Sequence, residues 1–273
     1  MTSRLARTLL IVVALLALAG GNVFAAPAAC VSGTLQTYVA LDATGGCTIG
    51  DKTFSNFADF FQVSHGTLNP NFPAAPSSTQ IQVTPLTGPG GNSTSIGLYF
   101  DFSGTNNDVA FDQTTNLYIQ YLVTVGAGMN IPSVFTQVTG GITSPGTDTF
   151  ATLTGIKDLC YGIPFTVGAG GDATGRCSGT EAPETVGQNS FAITGAYWTY
   201  GQGTIAIPGQ TVLGVSDFAQ LYGGTFNSGG NTATLFSMTN EFNQQQSGVP
   251  EPATCLLLGS ALLGLGALRR KRV

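Results

Sequence analysis

An all-β fold, an antiparallel β-sandwich of jelly-roll-like type, is what this 273-residue sequence predicts for its body, residues 26–239. Three observations predict it. Short runs alternate apolar and polar residues with a period of two, as strands with one buried face do. Clusters of Gly, Pro, Asn and Ser punctuate those runs as turns. Between the two ends, no stretch holds a convincing helical period. The ends follow different physics. An N-terminal signal peptide and a C-terminal single transmembrane helix complete the expected architecture.

The elements are justified in chain order. Residues 1–25 carry Arg4 and Arg7, an apolar core from Leu9 to Ala19, and Val23-Phe24-Ala25. Small residues at the recognition positions suit signal peptidase and place cleavage after Ala25. A lipid anchor on Cys30 is disfavoured, because Pro27-Ala28-Ala29 precede it without the required hydrophobic residue. In the body, Ile96, Leu98, Phe100 and Phe102 alternate with Gly97, Tyr99 and Asp101. Leu117, Ile119, Tyr121, Val123 and Val125 form one face of a run, and Tyr118, Gln120, Leu122 and Thr124 form the other. Further strands are expected over 191–200, 204–207, 211–215 and 232–238. Turns are expected at Pro145-Gly146, Pro208-Gly209 and Ser228-Gly229-Gly230-Asn231. One large sandwich fits this length. Two related halves, 30–150 and 151–239, are the rival division. Residues 240–248 are polar and Gln-rich, which suits a flexible linker.

The final segment, 249–273, has three parts. Val249-Pro250-Glu251-Pro252 is held extended by its prolines and is kept out of a helix. The apolar run 253–268 would be roughly 24 Å long as a helix, short of the ~30 Å hydrocarbon core unless cations at its end snorkel to the headgroups. Arg269, Arg270, Lys271 and Arg272 supply those cations, and they favour the cytoplasmic side. The body is thereby expected outside the inner membrane.

Composition sharpens this picture. Six of the nine basic residues lie in the two end segments, which leaves Lys52, Lys157 and Arg176 in the body. Thirteen acidic residues lie between Asp42 and Glu241, so the body carries a net charge of −10. Such a surface repels phosphate backbones, and no nucleic-acid partner is expected. Besides Cys255 in the apolar run, four cysteines remain, spaced as 30–47 and 160–177. In an exported chain an even count implies disulfides. Of the three pairings, the local one, Cys30–Cys47 with Cys160–Cys177, is preferred. The word Asp-Ala-Thr-Gly precedes both second cysteines at 42–45 and 172–175, an echo that duplication and coincidence both explain.

Candidate chemistry is sparse. His65 is the only histidine, so a secreted hydrolase built on a Ser-His-Asp set would need it, and no nucleophile elbow accompanies it. Glu181, Glu184 and Glu241 are too scattered to assign an acid and a nucleophile for glycoside cleavage. Asp101, Asp108 and Asp112, with Asn106 and Asn107, crowd one strand end and loop and form a candidate calcium site; their ordinary role is turn formation. Trp198 and Tyr200 share a strand face, whereas Tyr197 does not, and they are candidates for stacking on sugar rings; core packing is the ordinary alternative. Asn92-Ser93-Thr94 matches a glycosylation acceptor and reads as a turn. No catalytic residue, resident metal or cofactor is assigned.

The terminal order of Val249-Pro250-Glu251-Pro252, apolar run and basic cluster resembles the PEP-CTERM sorting signal of bacterial exosortase substrates. The resemblance implies export, transient inner-membrane anchoring, cleavage near Pro250-Glu251-Pro252 by an exosortase-like enzyme, and delivery to the cell surface or extracellular matrix. It also implies an association with exopolysaccharide and biofilm. Residues 41–57 resemble a segment common in uncharacterised members, which brings no activity with it. The expected function is that of a non-enzymatic surface or matrix protein. A carbohydrate-binding module for exopolysaccharide is the alternative.

Overall fold

The computed structural model describes residues 27–67, 75–87, 95–105, 108–110, 112–144, 151–165, 177, 180–181, 185–190, 195–224 and 232–246. The expected signal peptide, the expected apolar span 253–268 and the sorting motif lie outside them. No helix among the described residues is long and apolar enough to cross a membrane.

The chain begins with β1 (Ala28–Ala29), β2 (Gly33–Thr34), helix α1 (Leu35–Leu41), a 3-10 turn at Asp42–Thr44 and β3 (Cys47–Ile49). Then follow β4 (Lys52–His65), β5 (Gln82–Thr87), β6 (Ser95–Asp101) and β7 (Val109–Ala110). The long strands β8 (Gln113–Val125), β9 (Met129–Ser144) and β10 (Thr152–Tyr161) come next, then the short β11 (Thr180–Glu181) and β12 (Thr185–Ser190). The last three are β13 (Gly195–Gln210), β14 (Val212–Tyr222) and β15 (Thr232–Gln246).

These strands form two sheets. One runs β1-β3-β4-β8-β14-β10, with β11 and β12 both paired to the far edge of β10. The other runs β13-β9-β15-β6-β5-β2, with β7 on one end of β15. Every pairing is antiparallel except β1 with β3. From β8 to β10, and again from β13 to β15, each successive long strand changes sheet. As a result β14 lies between β8 and β10, and β15 lies between β9 and β6. Strands from the segments 30–150 and 151–239 therefore share both layers, as two adjacent blocks in the first sheet and interleaved in the second.

Apart from Gln120, which is 5 % exposed and donates to Ser216 Oγ at 3.3 Å, the period-two patterns land as their polarity requires. Leu98, Phe100, Leu117, Ile119, Tyr121 and Val123 are all at most 1 % exposed, whereas Tyr118, Leu122 and Thr124 are only half-buried. Where the sheets face each other they interdigitate small against large. A Cβ on Gly155 of β10 would sit 2.7 Å from Val138 of β9. One on Gly140 of β9 would sit 2.1 Å from Leu153 of β10 and 2.4 Å from the Thr234 carbonyl. The Gly140→Ala variant is accordingly expected to lose about 1–3 kcal/mol through overpacking, read as a fall in the urea midpoint at unchanged slope.

Three local differences from the sequence reading have physical causes. A seven-residue helix forms at Leu35–Leu41, where no helical period stood out. It is too short to show one, and it forms because Thr34 caps Thr37 N at 3.3 Å while Leu35 and Tyr38 bury the same side. The separate strands expected at 191–200 and 204–207 are one strand over the described part, because β9 pairs opposite Gly195 through Ala206 without a break. The polar segment expected as a linker from residue 240 is strand through Gln246. Its Asn240 and Phe242 are 0 % exposed, for the pairing partners of β15 continue on both sides.

Both expected disulfides are present. Cys30–Cys47 has a Cα–Cα distance of 4.9 Å and Cys160–Cys177 one of 5.4 Å. They sit toward opposite margins of one sheet, through β3 and β10. Each closes a loop with a sequence separation of 17, which stabilises by roughly 3 kcal/mol in the chain-entropy picture. Of the two Asp-Ala-Thr-Gly words, the first lies in the turn at Asp42–Thr44 and the following Gly45, and the second lies outside the described residues.

Candidate functional site

The C-terminal tail follows directly from the folded body. β15 occupies an interior position in its sheet, and its last residue, Gln246, pairs with Met129. Three residues lie between Gln246 and Pro250, and the four chain steps limit their spacing to about 14 Å even if fully extended. The segment available as a tether is thus much shorter than its polarity suggests.

The candidate calcium ligands do not converge. Asp101 Oδ1 accepts a hydrogen bond from Ser103 N at 2.8 Å, and Asp108 Oδ1 accepts one from Thr234 Oγ1 at 2.6 Å. Asp112 has φ +56°, its N–H donates to the Gly224 carbonyl at 2.8 Å, and its own carbonyl accepts from Gly66 N at 2.7 Å. Among the described residues no three His, Cys, Asp or Glu side chains gather as a metal site. Asn106, Asn107 and Glu184 lie outside the description. His65 ends β4, with Nδ1 2.8 Å from the Gly66 carbonyl. Trp198 pairs with Gly141 and Tyr200 with Thr139 along β13 and β9, so the backbone register gives these two positions one face. Their side chains lie outside the description.

The most distinctive chemistry is one that the sequence reading missed. Lys157 and Asp217 stand directly opposite each other on β10 and β14, and both are 2 % exposed. Lys157 Nζ donates to Asp217 Oδ1. From the facing sheet, Asn240 Nδ2 donates to Asp217 Oδ2. The same Nδ2 donates to the Tyr121 hydroxyl at 2.8 Å, and Asn240 Oδ1 accepts from Thr136 Oγ1 at 3.2 Å. A wall of rings closes the cluster from one side. Tyr121 lies 5.6 Å from Phe57, 6.0 Å from Phe100, and 6.3 Å from both Phe54 and Phe242, centroid to centroid.

Electrostatics follow from that burial. Desolvation pushes the Lys157 ammonium below the ordinary lysine value, while the Asp217 charge opposes the shift. Desolvation raises the Tyr121 phenol well above its usual range, and Asp217 adds to the effect. The sequence held one signal for this cluster. Lys157 and Asp217 occupy the inward parity of their strands, between Gly155 and Leu159 and between Val215 and Ala219. A charge in such a row needs a buried partner.

A second buried lysine lies on the same side of β15. Lys52, 0 % exposed, donates to Gln244 Oε1, and Gln244 Nε2 donates to Asp51 Oδ2. Asp51 also lies 3.6 Å from Lys52 Nζ, and its side chain is 30 % exposed. Burial lowers the Lys52 pKa, and Asp51 opposes this. Both lysines of the body are therefore interior, and among the described residues no lysine or arginine side chain faces solvent.

Comparison with known proteins identifies the tail. Residues 248–272 match the PEP-CTERM protein-sorting motif. No curated protein sequence matches the chain. Among solved structures, the enzymatically active domain of bacteriophage CBA120 tailspike protein 4 is similar, with 8 % identity and a TM-score of 0.22, over 69 % of this chain and 19 % of that one. A carbohydrate-binding module of the β-sandwich superfamily is 11 % identical, with a TM-score of 0.23, over 81 % of this chain and 64 % of that one. The chain spans less than two thirds of either, and likeness at this level carries no functional argument.

Proposed function

We propose that this chain is a non-enzymatic β-sandwich protein of the bacterial cell surface or extracellular matrix, delivered there by exosortase-type processing of its C-terminal tail. The PEP-CTERM motif at residues 248–272 carries the reading, since that motif implies an exported, membrane-anchored precursor. Two disulfides fit an oxidising compartment. The inward placement of both lysines fits an acidic, soluble exterior. Signal peptidase would act after Ala25, and the apolar run 253–268 would hold the precursor in the inner membrane until the tail is cut.

The test is the joint replacement of Pro250, Glu251 and Pro252 by alanine. In the native host the variant should remain in the membrane fraction, with at least a tenfold loss of released protein. Release at the parental level with the same mature mass would overturn the sorting assignment.

Carbohydrate binding is the second reading. It is favoured by the register of β13, which sets Trp198 and Tyr200 opposite Gly141 and Thr139, the row alternating with Val138, Gly140 and Ile142. Pull-down of the processed protein with the host's exopolysaccharide tests it. Equal recovery of the parent and of Trp198→Ala would remove Trp198 from the binding surface.

A further inference from the structure

Lys157, Asp217 and Asn240 combine a primary amine, a carboxyl group and a carboxamide in a water-poor interior. The amine and the amide nitrogen are bound to the two oxygens of one carboxylate. Thr136 Oγ1 donates to the amide oxygen. We infer that Lys157 Nζ and Asn240 Cγ become joined by an intramolecular amide bond, with Asp217 carrying the proton.

The step balances within these residues. Asp217 Oδ1 takes a proton from the Lys157 ammonium, which leaves a neutral amine. Low polarity favours that transfer, since it removes two charges from a medium that solvates them poorly. The amine attacks Asn240 Cγ, and negative charge develops on Oδ1, where the Thr136 hydroxyl already donates. The C–N bond to Nδ2 breaks as Nδ2 takes up one proton from Asp217, which recovers one from the attacking nitrogen. Ammonia leaves. The products are the new amide, a protonated Asp217 and one ammonia, with no oxidant, nucleotide or metal required. Lys157, whose charge the interior disfavours, ends as a neutral amide nitrogen.

The Lys52 cluster lacks this arrangement. There the lysine is bound to the carboxamide oxygen of Gln244, and the carboxylate is partly exposed and bound to the amide nitrogen. No single buried carboxylate bridges amine and amide, and the hydrogen bonds of that cluster account for it.

The position of the bond gives it a use. Lys157 is in β10 of one sheet and Asn240 is in β15 of the other, the strand from which the sorting tail emerges. Cys160, three residues from Lys157, holds the second disulfide. A pull on the C-terminal end would then pass from β15 into β10 through covalent bonds, and the two layers could not separate.

Mass spectrometry of the processed protein, fully reduced and denatured, tests the inference. The expected mass is that of the chain less one ammonia. Tryptic digestion should show no cleavage after Lys157, and residues 53–176 should stay attached to the following peptide through Lys157 and Asn240. Asn240→Ala and Asp217→Ala should each restore the full mass and the cleavage. If neither variant folds, the digest of the parent protein still decides. A full parental mass with cleavage after Lys157 would overturn the inference. So would a deficit of one water with Lys157 joined to Asp217, or an ammonia deficit without the Lys157–Asn240 linkage.

Discussion

A chain ended at Thr239 is expected to be unfolded, whereas one ended at Gln246 is expected to keep a single cooperative urea transition. The two differ by seven residues that polarity alone would assign to a linker. Within them Asn240 and Phe242 are 0 % exposed. Phe242 packs against Phe54 at 5.9 Å and against Tyr121 at 6.3 Å. Removing one buried Phe side chain costs about 3–5 kcal/mol. The shorter chain also strips β9 and β6 of ladder partners over Glu241–Asn243 and leaves Asp217 and Tyr121 without Asn240. Against a typical total stability of about 5–15 kcal/mol, the sum removes the folded state. Both products, exported with their disulfides, can be compared by near-UV circular dichroism and urea titration. A native transition in the shorter one would show that β15 is dispensable beyond Thr239.

Before any loss of the Lys157–Asn240 bond is counted, the Asp217→Ala variant is expected to lose about 3–5 kcal/mol, because it leaves the Lys157 ammonium buried without a counter-charge. Lys157 is enclosed by β10, β14 and the facing β15, and burial already disfavours its charged form. The loss should shrink at high pH, where an uncompensated lysine can be neutral. The sign follows from the shift: a folded-state pKa below the unfolded value penalises folding at acid and neutral pH, and the penalty fades as pH rises through that interval. The pair Lys157→Met with Asp217→Leu should be more stable than either single variant, since two apolar side chains leave no unpaired charge. Urea midpoints of Asp217→Ala, Lys157→Met, Asp217→Leu and the pair at two pH values are the measurement. A single Asp217→Ala variant as stable as its parent would show that the ammonium finds water or another partner.

The reach of the sequence differs from element to element. The alternation in Ile96–Phe102 and Leu117–Val125 set which residues face inward, because polarity at period two is a local property and burial follows it. The cysteine pairs were legible because short loops in an exported chain favour local closure. The sorting motif was legible for a different reason. It is read by an enzyme as a linear segment, so its information lies wholly in residue order.

Residues 240–246 and the buried cluster were decided elsewhere. Asn, Gln and Glu carry no local mark that distinguishes a solvated tether from a strand held between two neighbours. Pairing with β9 and β6, strands that precede β15 by about a hundred residues or more, made the difference. Likewise Lys157, Asp217 and Asn240 come from three strands spread over two sheets. Each polar residue is unfavourable in the interior by itself, and each becomes tolerable only when the others arrive. By itself, then, the sequence determined the β class, the inward faces, the disulfides and the tail. Only the tertiary structure decided strand order, the end of the body and the partners of its buried charges, because consecutive long strands alternate between layers and the contacts that matter join residues that no local pattern relates.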